Sequence, residues 1–176
     1  MIERTLVLLK PDAVQRHICG EIISRFEKAT LKIVGMKLVH ANEELANQHY
    51  ADDEGWYLSV GKKAKAGYAK LGKVNNESER EIGVRIREQL KSYLSMSPTI
   101  AIVLEGHSAI DKVRTITGDT APLFSAPGTI RGDYSIDSYA LADHSNRPIQ
   151  NLIHASDAPA TAEREIQLWF SDSELF

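Results

Sequence analysis

Two short apolar runs, Thr5–Leu9 and Thr99–Leu104, and one alternating stretch, Lys32–Ala41, limit what this chain can become. Each is rich in β-branched and leucine side chains and too short for a core helix, so each predicts a strand. Between them the apolar spacing changes to steps of three and four. Gly20–Thr30 carries Ile22, Ile23, Phe26 and Ala29 at helical spacing. Asn42 reads as the cap of a helix running toward Tyr50. Ser78-Glu79-Arg80-Glu81 matches a capping box, and Ile82, Ile86, Leu90, Tyr93 and Leu94 follow on one face. His107–Thr117 is a helix with Gly118 as its stop. Residues 119–133 read as an irregular loop, and Ile149–Ile153 as a short strand. Pro159 starts a last helix that buries Ala162, Ile166, Trp169 and Phe170, with Glu165 beside that stripe rather than in it.

This order predicts an α+β fold. Two βαβ halves give a four-stranded antiparallel sheet with helices on one face, the ferredoxin-like βαββαβ arrangement. At 176 residues the chain is expected to form one domain over residues 1–176. Residues 55–77 differ in texture, with repeated glycines and lysines, yet Tyr57, Val60, Ala64 and Tyr68 allow a short helix.

A net charge of −3 argues against broad nonspecific binding to nucleic acid or to an anionic membrane. Cys19 is the only cysteine, so no intrachain disulfide forms, which fits a reducing compartment. The run Leu6–Leu9 is too short for a signal segment, and no stretch approaches a membrane span. A soluble cytoplasmic protein is the expectation.

The chemistry concentrates near the C-terminus. Asn151-Leu152-Ile153-His154-Ala155-Ser156-Asp157 sets one histidine among small and polar residues, just before the helix carrying Glu165. An imidazole of ordinary pKa near ~6.5 is largely neutral and nucleophilic at neutral pH, and a carboxylate can orient it. Alone, such a histidine is more often structural. His17, His40, His49, His107 and His144 show no metal-ligand spacing and read as surface or fold-supporting residues. Lys10 stands apart because Pro11 ends its strand, and functional side chains commonly project from strand ends.

Lys10-Pro11-Asp12-Ala13-Val14-Gln15-Arg16, Pro127-Gly128-Thr129-Ile130-Arg131-Gly132-Asp133 and the segment 151–157 resemble the signature segments of the nucleoside diphosphate kinases. The resemblance implies that His154 takes the terminal phosphate of a nucleoside triphosphate and passes it to a nucleoside diphosphate. It further implies Glu165 and Ser156 as the orienting shell, and Lys10, Arg114, Thr120 and Arg131 as phosphate ligands. Asn151, with Lys10, would bind the sugar hydroxyls, and Tyr50 would lie near the histidine. ATP and other nucleoside tri- and diphosphates are the implied substrates. Mg²⁺ would arrive on the nucleotide phosphates, and the assembly would be a homo-oligomer, a hexamer or a tetramer. The alternative is a nucleotide- or nucleic-acid-binding regulatory module of the same fold. Retention of the whole residue set favours the enzyme.

The sequence departs from this pattern in three places. Extra residues interrupt it at about 55–81 and at about 137–149, and the C-terminus is short. Compact relatives stack the base on an aromatic where this chain has Ile86, leaving Trp56, Tyr57, Tyr68 or Tyr93 to replace it.

Overall fold

The apolar runs become strands at the centre of the molecule. A computed structural model describes residues 2–176. It contains strands β1 (Ile2–Leu9), β2 (Lys32–Val39), β3 (Thr99–His107) and β4 (Ile153–Ala155). The helices are α1 (Pro11–Gln15), α2 (Cys19–Lys28), α3 (Glu43–His49), α4 (Glu54–Lys70), α5 (Glu79–Ser95), α6 (Ala109–Thr117), α7 (Ile130–Tyr134), α8 (Tyr139–His144) and α9 (Pro159–Trp169). The strand order is β2-β3-β1-β4 and every pairing is antiparallel, as the ferredoxin-like reading requires.

Helices cover both faces of the sheet, which corrects the expectation of one covered face. Leu6 and Leu8 pack into a cluster with Ala46, Ile82, Leu94 and Trp169. Val7 and Leu9 point the other way, toward Ile22, Phe26, Val113 and Ile130. Strand side chains alternate between faces, so an unbroken apolar run has no polar face to leave in water.

The local signals that hold are those satisfied within a few residues. The Asn42 side chain accepts the Leu45 amide, and the Ser78–Glu81 capping box is complete. Gly118 ends α6 at φ +90°, a conformation in which Cβ is costly. The loop 119–133 contains a 3₁₀ turn at Pro122–Phe124 and the short α7. The predicted strand 149–153 is displaced: pairing to β1 begins at Ile153 and ends at Ala155.

Residues 55–77 hold a long helix rather than a short one. The Asp53 side chain caps α4 at the Trp56 amide, and α4 lies against α5. The two backbones meet at paired glycines. A Cβ on Gly61 would fall 1.8 Å from the Glu79 carbonyl oxygen, and one on Gly83 would fall 2.2 Å from that of Tyr57. Helix α8 packs on α4, so the two stretches of extra residues are in contact. Arg85 joins them, bonding Glu77 and Asp143, and the Tyr68 hydroxyl donates to Asp143.

Candidate active site

Adjacent strand ends build the site. Leu8 pairs with His154 across β1 and β4, so Lys10 leaves β1 close to the histidine. The Lys10 amide donates to Leu152 O at 2.8 Å, and the Leu152 amide donates to Asp12 Oδ2 at 3.0 Å. Leu152 itself has φ +68°, and the Ile153 amide bonds Asn151 O at 2.7 Å. This i→i+2 bond closes a strained turn immediately before the histidine. It also explains why β4 cannot start earlier.

His154 is half-buried. Its Nε2 lies 2.9 Å from Glu165 Oε2, and the Ser156 hydroxyl donates to that same oxygen at 2.6 Å. Nδ1 has no partner among the described residues, so it is the ring atom open to a ligand. Glu165 is 2% exposed, which corrects its placement beside the buried stripe. Burial alone would raise its pKa, but the His154 ring, with help from His49 and Ser156, holds it down at about 2. A buried carboxylate anion is thereby fixed behind the imidazole.

His49, read from sequence as a surface or fold-supporting residue, is buried beside His154. Its ring meets His154 edge-on at 4.5 Å between centroids. Trp169 Nε1 donates to His49 Nδ1 at 3.2 Å, so Nδ1 is the acceptor nitrogen. Burial, then the neighbouring His154 ring, pushes the His49 pKa well below the usual value. His49 is thus a neutral wall against the nucleophile. No spacing signal marks it, since its partners lie on β4 and α9. Tyr50, next to it, lines the cleft with its hydroxyl buried and without a hydrogen-bond partner among the described residues.

The remaining predicted residues converge on the same cleft of about 660 Å³, within the range of roughly 300–1,000 Å³ usual for small-molecule sites. Lys10 Nζ donates to Asn151 Oδ1 at 2.8 Å, and Asn151 Nδ2 donates to Thr120 O at 2.8 Å. Burial, then the neighbouring Arg131 guanidinium, brings Lys10 down to about 8, with Asp12 opposing. Arg114 lines the cleft from the last turn of α6, and its guanidinium forms no hydrogen bond or ion pair among the described residues.

Arg131 is different. It is 8% exposed, and its donors reach Asn151 O, Gly118 O, Asp119 O and Ile153 O. A guanidinium has five N–H groups, so these four bonds leave one for a ligand. Arg131 ties the loop after α6 to the turn before His154.

Of the four aromatics considered for the base, Trp56 lines the cleft, and so does Ile86. Tyr57 donates its hydroxyl to Asp52 on the outer surface, Tyr68 turns to Asp143, and Tyr93 is buried, accepting the Asp12 amide. Phe124 and Tyr139 also line the cleft.

A carboxylate-held imidazole in a cleft lined by Lys10, Arg114 and Arg131, on an antiparallel βαββαβ sheet, is an arrangement suited to a phosphotransferase. Comparison with known proteins agrees. The family model described as nucleoside diphosphate kinase matches residues 3–58 and 74–175. The chain is 46% identical to the nucleoside diphosphate kinase of Pyrobaculum aerophilum, over 99% of this chain and 98% of that one. A crystal structure of an NDP kinase from that organism superposes with a TM-score of 0.92 at 44% identity, over the whole of both chains. A nucleoside diphosphate kinase from Borrelia burgdorferi, described as a transition-state mimic with bound vanadate and ADP, gives a TM-score of 0.81. That match has 35% identity and covers 99% of this chain and 90% of that one. The chain belongs to the nucleoside diphosphate kinase family.

Proposed function

We propose that this protein moves the γ-phosphate of a nucleoside triphosphate to a nucleoside diphosphate in two displacements through His154. The observation that carries this reading is the His154–Glu165–Ser156 relay, which leaves Nδ1 facing a cleft of cations. In the first step the Nδ1 lone pair forms a bond to the γ-phosphorus while the bond to the β–γ bridging oxygen breaks. The diphosphate leaves with that electron pair. In the second, a terminal oxygen of another nucleoside diphosphate attacks and the P–N bond breaks. Glu165 stabilises the positive charge on the ring between the two steps. Lys10, Arg114, Thr120 and the last Arg131 N–H surround the transferring group, and positioning with positive charge is what phosphoryl transfer chiefly needs. Asn151 and Lys10 hold the sugar. Trp56 and Ile86 are the side chains placed to meet the base.

Mg²⁺ enters as part of the nucleotide substrate. Among the described residues, the clustered potential ligands in the cleft are His49, His154 and Glu165. Two of them are already hydrogen-bonded to each other, and a nitrogen-rich set does not suit Mg²⁺, so phosphate oxygens and water would hold it. A homo-oligomer is supported by the edge strand β2, where Met36 and Leu38 are 54% and 65% exposed; sedimentation velocity will count the subunits. No helix among the described residues is long and apolar enough to cross a membrane.

Incubation with γ-labelled ATP tests the central claim. Folded protein is expected to acquire an acid-labile label that a different nucleoside diphosphate discharges. His154→Ala should take up none while still binding nucleotide. An unlabelled, correctly folded wild type would overturn the reading.

A further inference from the structure

The family match passes over residues 59–73, and that segment makes up most of α4. Trp56, Val60, Lys63, Gly67 and Lys70 recur at steps of three and four, which puts them on one helical face. All five line the same cleft as His154, Lys10 and Arg114. Lys63 and Lys70 are exposed and form no ion pair among the described residues. They stand two helical turns apart, about 10 Å along the axis, with Ala66 and Gly67 leaving a low shelf between them. The Lys70 ammonium lies 4.6 Å from the centroid of the Phe124 ring, another cleft residue. Lys62 and Lys65, on the same helix, do not line the cleft.

The wall is also fixed in place. The Gly61 and Gly83 approaches hold α4 against α5, and Tyr68 and Arg85 anchor it to α8 through Asp143. A chain of net charge −3 thus sets two lysines along one wall of the cleft that holds Lys10, Arg114 and His154.

We propose that Lys63 and Lys70 form a second cationic rail of the nucleotide cleft, capturing the phosphate chains of incoming nucleoside di- and triphosphates and guiding them toward His154. This rests on the phosphotransfer reading above. The rail acts on encounter and binding. It does not touch the transferring phosphoryl group, so it raises kcat/KM without raising kcat.

The test compares Lys63→Gln/Lys70→Gln with Lys62→Gln/Lys65→Gln. The two double variants have the same net charge on the same helix, and one of them alters the cleft face. With ATP as donor and dTDP as acceptor at low ionic strength, the cleft-face variant should lose about five- to tenfold in kcat/KM. Its kcat and thermal midpoint should match wild type. The gap should close toward 1 M salt, where the screening length falls to about 3 Å. The other variant should keep wild-type kcat/KM. Equal kcat/KM and equal salt dependence for the two variants would overturn the rail, as would a loss confined to kcat. Failure of the wild type to form a phosphohistidine would instead overturn the underlying phosphotransfer reading.

Discussion

Lys10 links the site's electrostatics to a measurable pH limb. Its pKa of about 8 places the loss of its charge inside the working range. The free enzyme's kcat/KM should therefore fall as pH rises past about 8, and Lys10→Met should lower the rate at pH 7 and remove that limb. Glu165 and Ser156 share one oxygen behind the ring, so they should be unequal in effect. Glu165→Gln is expected to cost about 10–100-fold in kcat, the range for residues that orient a reactive ligand, and Ser156→Ala clearly less. Steady-state kinetics at saturating nucleotide separates them. Arg131 carries two loads. As a phosphate ligand it makes Arg131→Ala costly to transfer. Four bonds to main-chain carbonyls imply that it will also destabilise the protein, by about 3 kcal/mol if the carbonyls stay buried and unpaired. A urea midpoint unchanged by Arg131→Ala would limit the residue to ligand binding.

At the scale of elements, the α4–α5 pair depends on two absent side chains. Gly61→Ala or Gly83→Ala would drive a methyl group into main chain at 1.8 or 2.2 Å. Each should destabilise by about 3 kcal/mol through forced separation, seen in urea unfolding, and each should weaken nucleotide binding by moving the α4 wall. The capped helices were legible in the sequence because Asn42 and Ser78 bond amides three residues away. That Lys10, Asn151 and His154 share one cleft was legible through the motifs that hold them. What could not be read depends on distant partners. Pairing of β4 is decided by β1 and by the turn at Leu152, so the predicted strand was set too early. Leu6–Leu9 carried a hint of two-sided burial in its unbroken apolar run, but the covering helices lie elsewhere in the chain. His49 gains its place only when α3 meets β4 and α9.

For the molecule as a whole, Glu165 connects the site to stability. Its pKa is depressed, so its contribution is complete above about 4.5 and is lost as pH falls toward about 2. Acid unfolding followed by circular dichroism should show wild type losing stability steeply in that window, and Glu165→Gln losing it less steeply. The bond between Lys10 and Asn151 joins positions 141 residues apart, and the Asp12–Leu152 bond closes almost the same span. Segments near residues 10 and 151 are thus tied together beside His154, with Arg131 as the cross-tie. A chain still being synthesised has most of its sheet partners but no working centre until Glu165 clears the ribosome. Catalysis should then appear all at once, and the return of activity in a refolding experiment should track the last cooperative step rather than the growth of helix signal.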